Sequence, residues 1–188
     1  MRLVLGSKSP RRKQLLQECG FAFECIVEAC DEIKDSELGA EYVASQNALL
    51  KAQAIINKVN DDDLILTSDT VVECDGVILG KPQDKNDAYQ MLKQLSGKTH
   101  RVISAVALVG KQIEKTFCEI TYVTFYEIED ELIHRYIDSG SCFDKAGSYG
   151  IQDMGRLFVK KIDGDYFNVV GLPIARVYRE LKAISNDF

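Results

Sequence analysis

Asp69 is the only charge in Leu64-Ile65-Leu66-Thr67-Ser68-Asp69-Thr70-Val71-Val72, a β-rich run that reads as buried on both faces. An ionised carboxylate there is costly unless it is paired, hydrogen-bonded or on a metal. Asp69 is therefore a core residue satisfied by backbone donors, a ligand for a divalent cation, or a general base for water. A second segment, Gly6-Ser7-Lys8-Ser9-Pro10-Arg11-Arg12, is a small-residue turn between a short strand and a helix. Exposed N–H groups and the helix dipole make such a turn attractive to anions. Arg11 and Arg12 then face the positive end of the dipole, at about 0.3–1 kcal/mol each. A bound phosphate chain reverses that sign and uses the guanidinium fork; otherwise both side chains simply point into solvent. On this argument, removing Arg12 leaves the free protein no less stable.

Lys51 shares a helical stripe with Ala44, Ala48 and Ile55, so it either snorkels or aims into a cleft. Lys81, in Gly80-Lys81-Pro82, is fixed just after a strand by the following proline. Glu32 lies in an acidic loop, where charges are usually solvated, and a lone His such as His100 is more often structural than catalytic. Together the cations suit phosphates and the carboxylates suit a metal, as in metal-assisted attack of water on a phosphoanhydride. No Gly-x-x-x-x-Gly-Lys-[Ser/Thr] loop occurs, and Gly6-Ser7-Lys8 is not a dinucleotide fingerprint.

The elements that must position these residues alternate between strand and helix. Residues 2–5 read as a strand, and Ser9-Pro10 opens a helix that Gly20 stops. Residues 21–27 read as a strand, and Glu41 to about Val59 is the longest helical pattern. Residues 64–72 and 77–79 form a hairpin across Asp75-Gly76, followed by a helix over about 84–95. Residues 102–109 and 116–126 pair across Gly110-Lys111, and 129–137 is a short helix. Residues 144–155 are a Gly-rich loop. Residues 157–162 and 166–170 flank an Asp-Gly turn as strands, and a last helix begins after Leu172-Pro173. The fold class is α/β, with a mixed sheet split into two lobes by a groove. Nothing resembling a linker divides residues 1–188, which read as a single domain.

The 188 residues are 46% hydrophobic and 28% charged, which excludes disorder for the bulk of the chain. The net charge of −6, with no basic run longer than three, argues against nucleic-acid binding. No stretch is apolar enough for a membrane span or an export signal. The six cysteines form no Cys-x-x-Cys pair and, without an export signal, read as reduced, buried thiols in a cytoplasmic protein.

Ser7-x-Ser9-Pro10-Arg11-Arg12 with Leu15-Leu16, Asp31-Glu32, Lys51-Ala52, Ser68-Asp69-Thr70-Val71-Val72, Gly80-Lys81-Pro82 and Gly97-x-x-His100 follow in order. Lys145-Ala146-Gly147-x-Tyr149-Gly150-Ile151-Gln152 and Val170-Gly171-Leu172-Pro173 complete the set. From residue 3 to about 181 the chain resembles the Maf family of nucleotide pyrophosphatases, historically called septum formation proteins. The resemblance implies the Maf/inosine triphosphate pyrophosphatase fold, an elongated mixed sheet with two lobes and a deep groove. It implies hydrolysis of a nucleoside triphosphate to monophosphate and pyrophosphate with a divalent cation, Mg2+ or Mn2+, and a homodimer.

By the same resemblance Asp69 matches the catalytic carboxylate. Glu32, Lys51 and Lys81 match groove residues that hold metal and phosphates, with Glu32 and Asp69 on the metal. Ser7, Arg11 and Arg12 match the phosphate-binding turn. Arg12, Thr70 and Gln152 match specificity positions, and Thr70 and Gln152 resemble the branch acting on dTTP and UTP. The alternatives are the sibling branch acting on N7-methyl-GTP, a pyrophosphatase for damaged purines, and a non-catalytic nucleotide-binding division regulator. A Gln amide can accept from N3–H and donate to O4 of uracil or thymine, in agreement with the dTTP/UTP branch.

Overall fold

The computed structural model describes residues 1–33 and 35–188. In chain order the elements are β1 (Arg2–Leu5), α1 (Pro10–Glu18), β2 (Phe23–Cys25), α2 (Ala40–Gln53), β3 (Asp63–Cys74), β4 (Val77–Leu79), α3 (Lys85–Leu95), β5 (Thr99–Gly110), β6 (Ile113–Phe125), α4 (Asp130–Asp138), β7 (Val159–Asp163), α5 (Tyr166–Val170) and α6 (Ile174–Ile184). One sheet runs β2-β1-β3-β5-β6-β7, with β4 also on β3. β1 pairs parallel to β2 and β3; the remaining ladders are antiparallel.

β3 organises the molecule. Along one edge it pairs with β5 from Ile65 to Glu73. Along the other, β1 covers residues 63–66 and β4 covers 72–74. Residues 67–71 therefore have a strand on one side only, and Asp69 is at the centre of that open stretch.

The two faces of β3 differ. Side chains alternate across a strand, so odd and even positions face opposite ways. Ile65 and Val71, with Ile103, Ala105 and Ala107 of β5, pack against α2. That helix presents Ala40, Ala44, Ala48 and Ala52, one small residue per turn, which lets its backbone approach until Thr67 Oγ1 donates to the Ala48 carbonyl at 2.6 Å.

On the even face there are two cores. Leu64, Leu66, Val106 and Leu108 join α1 and α6 at one end. Val72 and Val102 join α3 and α4 at the other. Between them Ser68, Thr70 and Ser104 form a polar waist, the physical boundary of the two lobes. Asn168 of α5 fills part of it. Its Oδ1 accepts from the Ser104 N–H at 3.1 Å and its Nδ2 donates to the Val102 carbonyl at 2.9 Å.

Three sequence expectations are corrected. Residues 166–170 are α5 rather than a strand: Asp165 caps the helix by accepting from the Phe167 N–H at 2.8 Å, and Gly171, at φ 119°, ends it. The long helical pattern to Val59 ends at Gln53, and residues 56–58 form a separate 3-10 turn. All six cysteines are unpaired, but only Cys74 and Cys142 are buried, while Cys19 and Cys25 are exposed. Among the described residues, no helix is long and apolar enough to cross a membrane.

His100 is buried, with Nε2 2.8 Å from the Tyr149 hydroxyl and its ring edge-on to Phe125. Burial lowers its pKa from 6.5 to about 4. The unfolded chain thus takes up this proton first as pH falls. The stability from neutral His100 is complete above about 6.5 and is lost between about 6.5 and 4, reaching roughly 3 kcal/mol at 1.4 kcal/mol per pH unit. His100→Gln should remove that part of the pH dependence, read from denaturant midpoints at pH 7 and pH 4.5. Equal slopes in both proteins would contradict it.

Candidate active site

The open stretch of β3 is approached from α2 on one face and from α1 on the other. From α2, Lys51 Nζ donates to Asp69 Oδ1 at 2.5 Å and lies 3.0 Å from Glu32 Oε1. One turn earlier, Asn47 Nδ2 donates to Asp69 Oδ2 at 3.3 Å. Each carboxylate oxygen of Asp69 is therefore held by a different residue of α2, four positions apart on one helical face. Lys51 does not snorkel: its ammonium turns toward Asp69 and Glu32 and draws the two carboxylates together. Among the described residues, the partners of Asp69 are side chains rather than backbone donors.

From the other side comes Arg12. Its Nε donates to the Gly171 carbonyl at 2.8 Å, Nη1 to the Ser68 carbonyl at 2.8 Å and Ser7 Oγ at 3.3 Å, and Nη2 to Thr70 Oγ1 at 3.0 Å. The Ser68 carbonyl is free to accept because the edge of β3 away from β5 is unpaired there. Burial lowers the guanidinium to about 10; the Asp69 charge opposes this shift and Arg11 adds to it. Arg12 stays cationic at neutral pH. Four of its five N–H groups are used inside the protein, so it points neither into solvent nor wholly at a ligand. Thr70 Oγ1 also lies 2.8 Å from Ser104 Oγ, which turns that hydroxyl toward the waist.

The turn before α1 is closely packed. Gly6 sits where an added Cβ would come within 2.6 Å of Thr67 Cγ2, so only glycine fits. Ser7 Oγ accepts from the Ser9 N–H at 3.2 Å, and Ser9 makes no side-chain cap. Arg11 differs from Arg12: its one partner among the described residues is Asp144 Oδ2 at 2.9 Å, an exposed carboxylate that an anionic ligand can replace.

Lys81 and Gln152 belong to a second group. Both are exposed, and neither makes a hydrogen bond or ion pair with the Asp69 cluster among the described residues. The Gly80 carbonyl accepts from the Gly147 N–H at 3.0 Å, fastening the strand end that carries Lys81 to the 145–155 loop. Tyr149 packs in one core and Ile151 in the other, so this loop crosses between the lobes just before Gln152. Lys145 braces it, with Nζ 2.7 Å from Asp144 and 3.3 Å from Asp153.

Glu32 and Asp69 suit a divalent cation. Both carboxylates already face one cationic nitrogen, and oxygen donors of this kind suit Mg2+ or Mn2+. Among the described residues no third His, Cys, Asp or Glu joins them. A site with two protein carboxylates fits a cation whose remaining ligands come from phosphate and water. Asn47 was missed at the sequence level. Its signal was a polar residue on the buried side of a helix otherwise lined with alanine.

The fold and this site define a mixed-sheet α/β protein with an arginine-bearing turn opposite a carboxylate–ammonium cluster. The solved structure of the Staphylococcus aureus Ham1 protein shares the fold, with a TM-score of 0.51 over 97% of this chain and 100% of that one at 10% identity. The family described as Maf-like protein matches residues 2–184, and this chain belongs to that family. A dTTP/UTP pyrophosphatase from Bacillus cereus is 45% identical over 186 residues, covering 99% of this chain and 97% of the relative. One from Bacillus anthracis is 46% identical over the same shares.

Proposed function

We propose that this protein hydrolyses dTTP and UTP to the nucleoside monophosphate and pyrophosphate. The observation that carries the reading is Asp69 held by Lys51 and Asn47 in the open stretch of β3, with two arginines entering from α1. Asp69 takes a proton from a water that attacks the α-phosphorus. The new P–O bond forms as the bond to the bridging oxygen breaks, and pyrophosphate leaves with that electron pair. Lys51 and Lys81 supply positive charge to the phosphates, and Arg11 exchanges Asp144 for a phosphate oxygen. Glu32 and Asp69 would hold a divalent cation, which neutralises phosphate charge and acidifies bound water. Arg12 fixes the Ser7 turn and the Gly171 carbonyl around this space.

Base selection is assigned to Gln152. Its amide can pair with both N3–H and O4 of uracil or thymine. The carboxylate of Gln152→Glu cannot donate to O4, so kcat/KM for UTP should fall by roughly 1–3 kcal/mol in transition-state binding. Full reversal toward N7-methyl-GTP is not expected, because the pocket keeps its volume. The test compares kcat/KM for UTP, dTTP and N7-methyl-GTP in both proteins. An unchanged UTP value in the variant would remove Gln152 from the base site.

A further inference from the structure

We infer that Asn47 is the positioning residue that aligns Asp69 with the Glu32 loop, an inference that rests on the hydrolytic role of Asp69 proposed above. Asn47 is 3% exposed at the middle of α2, where helix propensity and burial both disfavour asparagine. Every polar atom of its amide is used. Oδ1 accepts from the Ile33 N–H at 2.7 Å, and Nδ2 donates to the Ile33 carbonyl at 3.1 Å. Through these two bonds the side chain imitates a neighbouring strand and pins the backbone beside Glu32. The second Nδ2 hydrogen goes to Asp69 Oδ2 at 3.3 Å.

One amide thus ties together a loop and a strand that lie 36 positions apart in the chain. Lys51 makes a parallel connection, from Glu32 to the other oxygen of Asp69. The two connections differ in kind. Lys51 is an ammonium that phosphate can draw away or a cation can displace. Asn47 is neutral, buried and bonded to backbone, so its hold on Oδ2 persists when the charges around Oδ1 rearrange. Asn47 therefore sets the orientation of Asp69 through the reaction cycle, while touching neither the attacking water nor the nucleotide.

The test uses Asn47→Ala and Asn47→Asp in the full chain. In Asn47→Ala, kcat for dTTP should fall about twentyfold or more, close to 1.8 kcal/mol of barrier, with KM within about threefold of wild type. The Ile33 amide should also exchange its hydrogen at least about tenfold faster. Asn47→Asp keeps the volume and the acceptor for the Ile33 N–H but loses both donors. It should leave Ile33 protected and still lower kcat by about as much as the alanine variant. A role confined to bracing the loop would instead make kcat follow Ile33 protection, so an Asn47→Asp variant that keeps Ile33 protected and stays active overturns the inference. So does a rise in KM with kcat unchanged, which would make Asn47 a binding residue. Ile33 exchange reads the clamp without turnover: a wild type that hydrolyses no nucleotide defeats the proposed reaction, whereas an active wild type with near-normal variants defeats only the role of Asn47.

Discussion

Asp69→Asn is expected to lower kcat for dTTP and UTP by about a thousandfold, within the 10²–10⁴ that a positioned general base contributes. Asparagine keeps the volume of the side chain and can still accept from Asn47. It loses the charge that draws Lys51 inward, and Lys51 retains Glu32 as a partner at 3.0 Å. The fold should therefore survive: β3 is held by its ladders to β1, β4 and β5, and none of these uses the carboxylate. Circular dichroism and a melting curve close to wild type, with product formation near background, is the predicted pair of results. Turnover within about tenfold of wild type, roughly 1.4 kcal/mol of barrier, would remove Asp69 from the chemistry.

Arg12→Ala should lose both activity and stability. The helix-dipole argument expected no loss of stability, and the structure reverses its sign. The acceptors of Arg12 are the carbonyls of Gly171 and Ser68, two backbone atoms far from it in sequence, together with Thr70 Oγ1. Deleting the guanidinium leaves the Ser68 carbonyl without its side-chain donor, leaves the Gly171 carbonyl only the longer bonds from Ser68 Oγ at 3.3 Å and Thr70 Oγ1 at 3.4 Å, and opens a gap beside the waist between the cores. Such losses cost about 2–4 kcal/mol in total, or roughly 4–16 °C in melting temperature for a chain of this size. Arg12→Lys should recover little of this, because one ammonium cannot span a set of acceptors matched to a planar fork. A variant melting within about 1 °C of wild type would show that water replaces these bonds at no cost.

The contrast at Arg12 shows what is legible in the sequence and what is not. A helix dipole is local, so the argument from it needed only Pro10 and Ser9. The carbonyls that decide the sign are brought there by β3 and by the end of α5, which no local pattern announces. The strand carrying Asp69, the Asp75-Gly76 hairpin and the alanine ridge of α2 were legible because period and turn chemistry dictate them. Ser68, Thr70 and Ser104 were legible as strand residues but not as a boundary between cores, since that requires knowing which strands pair. Tyr166–Val170 has strand-like composition, yet Asn168 has to reach the waist, and a capped turn of helix places it there. Asn47 carries no local signal of its role, since its partners Ile33 and Asp69 lie 14 and 22 positions away in the chain.

Hydrolysis at the α-phosphorus of dTTP and UTP is tested most directly by identifying the products of the wild-type protein. With a divalent cation present, dTTP, UTP, N7-methyl-GTP and inosine triphosphate are each incubated in water enriched in oxygen-18 and followed by phosphorus-31 NMR. The predicted result is equimolar monophosphate and pyrophosphate from dTTP and UTP, with kcat/KM at least about tenfold above the two purine nucleotides, close to 1.4 kcal/mol. The heavy oxygen should appear in the monophosphate alone. Release of orthophosphate with a nucleoside diphosphate, label in the pyrophosphate, or preference for N7-methyl-GTP or inosine triphosphate would contradict the account.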